Sequence, residues 1–214
     1  MKIRASSLSV LLVLLTSSLT VQASPSAASK PLLKIHVGQP IVVDGIADKT
    51  EWKDAHSLAL KIKDVLDLVV LYKHDCQNVY LAYVVKKGAT EELWFPELFV
   101  DPNNDKTTQW SQDDLWFHVS GTDCEAKGKH SDYSNCKIVQ PGWKAVPNYQ
   151  LSENPPPISE IEISIPISKL NVGLNERFGL MLSLYVVPEM RTNDPDSGDI
   201  DSPETWGEAI LVAK

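Results

Sequence analysis

The chain has 214 residues, with 20 Lys plus Arg against 28 Asp plus Glu and a formal net charge of -8. An acidic surface repels phosphate backbones, which argues against nucleic acid as a partner. The length suits one domain with a sizeable core, and beyond the N-terminus no stretch is apolar enough to span a bilayer.

Lys2 and Arg4 precede an apolar run from Leu8 to Leu15, followed by Val21-Gln22-Ala23. A cationic start, a short apolar stretch and a small-residue site form the pattern of a secretory signal peptide, with cleavage expected near Ala23. The run is shorter than the roughly 20 residues that a spanning helix needs. The expected organisation is a signal peptide over 1–23, a flexible lead-in over 24–30 and a single domain over 31–214 that works in the periplasm or outside the cell. Without Lys2 and Arg4, 18 basic residues remain against 28 acidic ones, and the net charge becomes -10.

From there the dominant period is two, the period of strands. LLKIHV (Leu32–Val37) and PIVVDG are strand-like runs separated at Gly38, and a tight turn is expected at Asp44–Gly45. Asp48–Ala55 suits one or two helical turns carrying Trp52, with Asp48 as N-cap and Glu51 as its capping-box partner. Trp52 is read as a packing residue that closes one edge of the domain, because an indole brings a large apolar area and a single N–H to satisfy. SLALKI (Ser57–Ile62) follows, and then Leu66–His74 and Asn78–Lys87 flank the turn cluster HDCQN as a hairpin. PELFVD (Pro96–Asp101) and DLWFHVS (Asp114–Ser120) are two more strands around a polar loop, with Phe117 expected inward. Ile158–Pro166 alternates Ile161, Ile163 and Ile165 against Glu160, Glu162 and Ser164. A helical turn is expected over Ser168–Asn171, and Arg177–Val187 and Glu208–Ala213 are the last strands. Many short strands with Pro, Gly, Asn and Asp turns imply an all-β fold: an antiparallel β-sandwich, immunoglobulin- or jelly-roll-like, with one or two short helical turns.

Three cysteines are present, Cys76, Cys124 and Cys136. Export permits disulfides. Cys124 and Cys136 bracket a polar loop, and a bridge closing it would contribute about 3 kcal/mol in the chain-entropy model. Cys76 is then left over in its turn.

The order of these pieces resembles the family 9 carbohydrate-binding modules and their wider relatives. VVDGIADKTEWKDA is similar to the opening landmark of that group. VLYKHDCQNVYLAYVV, ELFVDPNND, QWSQDDLWFHV, SEIEISIPISKL, ERFGLMLSLYVV and ETWGEAILV follow in the order of its later strands. The resemblance covers nearly the whole chain after the signal. It implies a β-sandwich, a noncatalytic role, association with carbohydrate degradation and glycan binding, with calcium ions supporting the structure. Such modules clamp a sugar between two tryptophans. At the corresponding places this chain has Glu91 and Ile200, with Trp94 and Trp206 nearby.

Sugar sites combine aromatic faces with amide or charged side chains, since C–H faces stack and hydroxyls need hydrogen-bond partners. Trp94, Trp110 and Trp143 sit among polar or turn residues and are the candidate platforms; Asn103, Gln109 and Gln112 are the candidate polar contacts. Asp101, Asn103 and Asp105 place oxygens at alternating positions, as in the start of a calcium loop. Lys106 and Gln112 stand where an EF-hand has Gly and Glu, and an Asx-rich turn is the competing reading. No nucleophile elbow, phosphate loop or clustered zinc motif occurs, which agrees with the noncatalytic role that the resemblance implies. Two other readings stay open. Relatives of this sandwich bind haem b through axial Met and Lys; here Met181 reads as core packing, and Met190 at a strand end is the available ligand. The other is a protein-interaction module of the cell envelope, with an exported enzyme or envelope protein as partner.

Overall fold

A computed structural model describes residues 32–62, 65–88, 93–120, 124–128, 142–149, 158–187 and 190–213. The signal peptide and lead-in lie outside the described residues. Twelve strands are described: β1 (Leu32–His36), β2 (His56–Ile62), β3 (Leu66–His74), β4 (Asn78–Gly88), β5 (Trp94–Asp101), β6 (Leu115–His118), β7 (Cys124–Lys127), β8 (Lys144–Tyr149), β9 (Ile158–Pro166), β10 (Arg177–Val186), β11 (Met190–Asp194) and β12 (Gly207–Val212). Among the described residues the one α-helical turn, α1 (Ile167–Leu170), overlaps the expected Ser168–Asn171 turn.

The strands form two sheets. One has seven strands in the order β1-β12-β10-β5-β6-β7, with β11 also on β10; the other has five in the order β2-β3-β4-β9-β8. Pairing is antiparallel with one correction to the sequence expectation: β1 runs parallel to β12, Leu32 opposite Glu208 through His36 opposite Val212. The first strand thus reaches its partner at the far end of the chain, a long-range pairing that no local turn signal marks.

The inner faces meet in one core. Alternation decides its membership: Leu68, Val70 and Tyr72 from β3, Leu81 and Tyr83 from β4, Ile161, Ile163 and Ile165 from β9, and Leu180, Leu182 and Leu184 from β10. Phe117 joins them as expected, while its neighbour Trp116 is equally buried on the opposite face of the same sheet.

Each sheet is also covered from outside. Residues 38–55 lie over the five-stranded sheet, where Val43 and Trp52 pack on Tyr80 and Ala82. Glu162, on the polar face of β9, is therefore buried rather than exposed. Its Oε1 accepts from the Trp52 indole N–H (2.7 Å), and its Oε2 accepts from the amides of Asp44 and Gly45 (both 3.0 Å). Gly45 has φ +92°, and a Cβ there would come within 3.1 Å of Val146, so the Asp44–Gly45 turn needs its glycine. The buried Lys73 ammonium donates to Asp54 Oδ1 (2.7 Å) and to the Glu51 carbonyl, 5.4 Å from the centre of the Trp52 ring. Asp48 accepts from the Thr50 amide, but Glu51 accepts from Val42 instead of closing a capping box. Trp52 is the framework residue its position suggests.

Candidate functional site

The outer face of the seven-stranded sheet carries side chains of the opposite parity to the core. On β5 these are Phe95, Glu97, Phe99 and Asp101; on β6, Trp116 and His118; on β10, Met181, Ser183 and Tyr185; on β11, Arg191 and Asn193. The registers bring Phe95 opposite Tyr185, Glu97 opposite both Ser183 and His118, and Tyr185 opposite Arg191.

One half of this face combines flat rings with charge. Phe95 and Tyr185 are half-buried, 6.4 Å between ring centres and inclined by 23°. The Arg191 guanidinium lies 5.2 Å from the centre of the Tyr185 ring, within cation–π range. Arg191 Nη1 donates to Glu97 Oε2 and to Ser183 Oγ (2.9 Å), and His118 Nδ1 lies 3.3 Å from Glu97 Oε1. Burial of Glu97 works to raise its carboxyl pKa, but the His118 hydrogen bond and the Arg191 charge outweigh it and hold it below the ordinary value. Arg191 keeps 27% of its side chain exposed while Glu97 keeps 2%, so the outward polar surface of the pair belongs to the guanidinium. Asn193 donates to the Gly198 carbonyl (2.7 Å), and its own Oδ1 is buried without a partner among the described residues.

The other half is an aromatic floor under a loop. Phe99, Trp116, Met181 and Trp206 are buried together, with Trp110 and Ile200 packed against them. Ring contacts run from Phe95 through His118, Trp116, Phe99 and Trp110 to Trp206 at centre distances of 5.6, 5.4, 6.4, 6.0 and 5.2 Å. The loop 102–114 closes over this floor. Lys106 Nζ donates to the Trp206 and Gly207 carbonyls (3.0 and 2.9 Å). The Trp110 indole donates to the Ile200 carbonyl (2.9 Å) and the Trp206 indole to Asp199 (2.7 Å).

The candidate residues from the sequence divide between two places. Trp110 is half-buried on the loop, and Asn103, Gln109 and Gln112 are exposed on the same loop. Trp94 is 2% exposed and Trp143 is 9% exposed; both belong to the core between the sheets, where Trp143 meets Phe117 edge-on. That placement corrects the reading of these two indoles as platforms: neither offers a face to a ligand. The misreading of Trp94 has a simple cause. The strand starts at Trp94, two residues before Pro96, so Trp94 shares the inward parity of Leu98 and Val100.

The Asp101–Asp105 segment is a self-satisfied turn. Asp101 accepts from the amides of Asp105 and Lys106 (both 3.2 Å), and Asp105 accepts from Asn103 Nδ2 (3.3 Å) and the Thr107 amide (3.4 Å). Among the described residues no group of three or more His, Cys, Asp or Glu is placed to hold a metal ion. Burial raises the Asp101 carboxyl, and it lifts Asp114 to about 6 with the help of Asp101 and Asp113 nearby. Met181 has the packing role expected of it, while the side chain of Met190 lies outside the described residues. Cys76 is an exposed free thiol in the β3–β4 turn, at φ +72°. Cys136 and the side chain of Cys124 lie outside the described residues, and their bridge remains an expectation.

Two solved structures match this architecture over 86% of the chain. One is a family 9 carbohydrate-binding module from Caldicellulosiruptor kristjanssonii in complex with cellotriose, at 17% identity, a TM-score of 0.58 and 95% coverage of that chain. The other is the module in complex with glucose, at 16% identity, a TM-score of 0.59 and 97% coverage. The chain has a family 9 carbohydrate-binding-module-like fold. No protein-family model matches its sequence, and no curated protein matches it significantly. The shared feature is thus the family 9 scaffold, held here by a largely different set of side chains. Among the described residues no helix is long and apolar enough to cross a membrane. Of the three indoles singled out in the sequence, Trp94 and Trp143 are core residues and Trp110 lies on the loop over the outer face. Phe95, Tyr185 and Arg191 were legible only as the outward parity of β5, β10 and β11, and the pairing of those strands is what assembles them.

Proposed function

We propose that this is an exported, noncatalytic glycan-binding protein whose site is the outer face of the seven-stranded sheet. The observation that carries this reading is the juxtaposition of two nearly parallel, half-buried rings, Phe95 and Tyr185, with the partly exposed Arg191 guanidinium, which the buried Glu97 and Ser183 hold in place. Rings of this kind stack on the C–H face of a pyranose, and the adjacent guanidinium donates to its hydroxyls. Trp110, with Asn103, Gln109 and Gln112 on its loop, extends the same face and is proposed as the second contact zone for a longer glycan. The structural neighbours were solved with cellotriose and glucose, which makes β-glucans the first ligands to try. Export is supported by the N-terminal Lys2, Arg4 and Leu8–Leu15 pattern. The acidic charge suits a soluble binder of neutral sugar better than a binder of polyanions.

Titration calorimetry with glucose, cello-oligosaccharides and a panel of other neutral glycans tests the reading. Binding is expected for at least one glycan, weakened tenfold or more by Tyr185→Ala and by Phe95→Ala. Trp110→Ala is expected to weaken longer oligosaccharides more than monosaccharides. Absence of heat with every glycan, or unchanged affinity in both platform variants, overturns it.

A further inference from the structure

The seven-stranded sheet contains a break. Strand β10 changes partner halfway along: Arg177–Leu180 pair with β12, ending at Leu180 opposite Gly207, and Leu182–Val186 pair with β11, starting at Leu182 opposite Asp194. At Met181 the ladder on that side passes from one strand to the other. The gap is a cavity of about 70 Å³, lined by Leu32 and Leu33 of β1, Leu180 and Leu182 of β10, Gly207 and Glu208 of β12, and Asp194 and Pro195.

The two carboxylates differ. Glu208 is already held by Arg177 Nη1 (2.7 Å) and Asn104 Nδ2 (3.5 Å). Asp194 receives no hydrogen bond and no ion pair among the described residues. Its strand parity is opposite to that of Arg191 and Asn193, so it stands on the core side of β11, separate from the proposed glycan face. The titratable groups that feel its charge are Tyr72 and Tyr83 of the other sheet and Asp196 in the following turn, none of them a cation; β2, which packs against β11, carries His56 and Lys61, the latter paired with Asp67.

We propose that this gap is a binding site for a primary ammonium group on a short alkyl chain, with the leucines around the chain and the Asp194 carboxylate on the charge. A half-buried carboxylate in an apolar mouth lacks the cation that would offset its desolvation, and an alkylammonium supplies both the charge and the apolar contact. Burial and Asp196 push the Asp194 carboxyl upward, the condition that a cation would relieve. The gap has about half the volume of a cavity of about 150 Å³ that takes benzene, which sets the chain at two or three carbons. The net negative charge of the protein concentrates such cations near its surface.

The test follows the leucine methyl resonances of the intact protein at pH 7.5 during titration with n-propylammonium, with n-propanol as neutral counterpart. Saturable shifts at Leu33, Leu180 and Leu182 are expected with the amine, at least tenfold weaker with the alcohol and at least tenfold weaker in Asp194→Asn. In wild type, affinity for the amine is expected to fall as pH is lowered and the carboxylate takes up its proton, which makes the same discrimination without a variant. Equal binding of amine and alcohol, no shift with the amine, or affinity independent of both pH and Asp194 overturns the site. Nα-acetyl-lysine methylamide separates the sources: binding comparable to n-propylammonium assigns the site to a lysine on a partner protein, and binding of the small amine alone assigns it to a free alkylamine.

Discussion

The indole nitrogen of Trp52 and Oε1 of Glu162 lie 2.7 Å apart, although 110 positions separate them in the chain. That bond fastens residues 38–55 to the outer face of the five-stranded sheet, and the same carboxylate holds the Asp44–Gly45 turn through its other oxygen. A buried acid with three donors in place works as a clasp, and it explains why an acidic residue occupies a strand position that the covering segment closes over.

Removal of single donors or acceptors should reveal this clasp. Burial raises the Glu162 carboxyl despite the bonds from Trp52, Asp44 and Gly45, so one expectation is that neutralising it would help. Geometry predicts the reverse for Glu162→Gln. The amide NH₂ must face either the Trp52 N–H or the two turn amides, leaving donors against a donor, at a cost of about 2 kcal/mol. Trp52→Phe keeps most of the packing and removes one donor, for about 1 to 2 kcal/mol. Urea denaturation of the two variants and the double variant checks both values, and the double variant should cost less than the sum because the two side chains share a bond.

Glu97 gives stability a dependence on acid. Its carboxyl lies below the ordinary value in the folded protein, so its contribution is fully present above the unfolded pKa near 4.5 and is lost as pH falls through the lower folded value. Arg191→Met removes the cation and leaves a buried carboxylate with one partner fewer, a change expected to cost about 3 to 5 kcal/mol at pH 7. Glu97→Gln should flatten the acid limb of the stability profile. Thermal melts of wild type and both variants between pH 3 and 7 measure this; an unchanged acid limb in Glu97→Gln would remove Glu97 from the account.

The parts of the fold that depend on local alternation were readable from sequence. The β3–β4 hairpin, the isoleucine face of β9 and the helical turn after Pro166 lie where period and turn residues put them. Two kinds of feature were not readable. Parallel pairing of β1 with β12 joins opposite ends of the chain with no turn between them. The proposed outer-face site is drawn from Phe95, Glu97, His118, Ser183, Tyr185 and Arg191, on four strands whose adjacency only the sheet order supplies. Polar sequence neighbours misled at Trp94 and Trp143, because a residue beside charges in sequence sits across from them once alternate side chains point to opposite faces.

Those two indoles should therefore report on stability. Trp94→Ala and Trp143→Ala remove buried rings from the core and are expected to cost about 3 to 5 kcal/mol each, with the smaller cost at Trp143, which keeps 9% of its surface exposed. Where the variants stay folded, glycan affinity should match that of wild type. Denaturant midpoints and calorimetry on the same samples separate the outcomes. Full stability with lost binding in either variant would restore that indole to the site.

Asp114 should act on stability in the opposite pH range. Its Oδ2 accepts from the amide and hydroxyl of Ser111 (2.6 and 3.2 Å), and its Oδ1 is buried without a partner among the described residues. Burial, with Asp101 and Asp113 nearby, raises the carboxyl from 3.8 to about 6. A folded pKa above the unfolded one means that the folded state holds its proton more tightly. The stability due to this group is therefore complete below the unfolded value and declines as pH rises through the folded value near 6. Asp114→Asn keeps an oxygen for Ser111 and carries no charge, so that decline should vanish. The variant should match wild type below pH 4 and gain on it as pH rises to 7.5, by an amount that stops growing once the wild-type carboxyl is ionised. Urea midpoints at half-unit pH steps provide the measurement, and a stability difference that stays constant across the range would show that Asp114 does not titrate between the folded and unfolded states in this window.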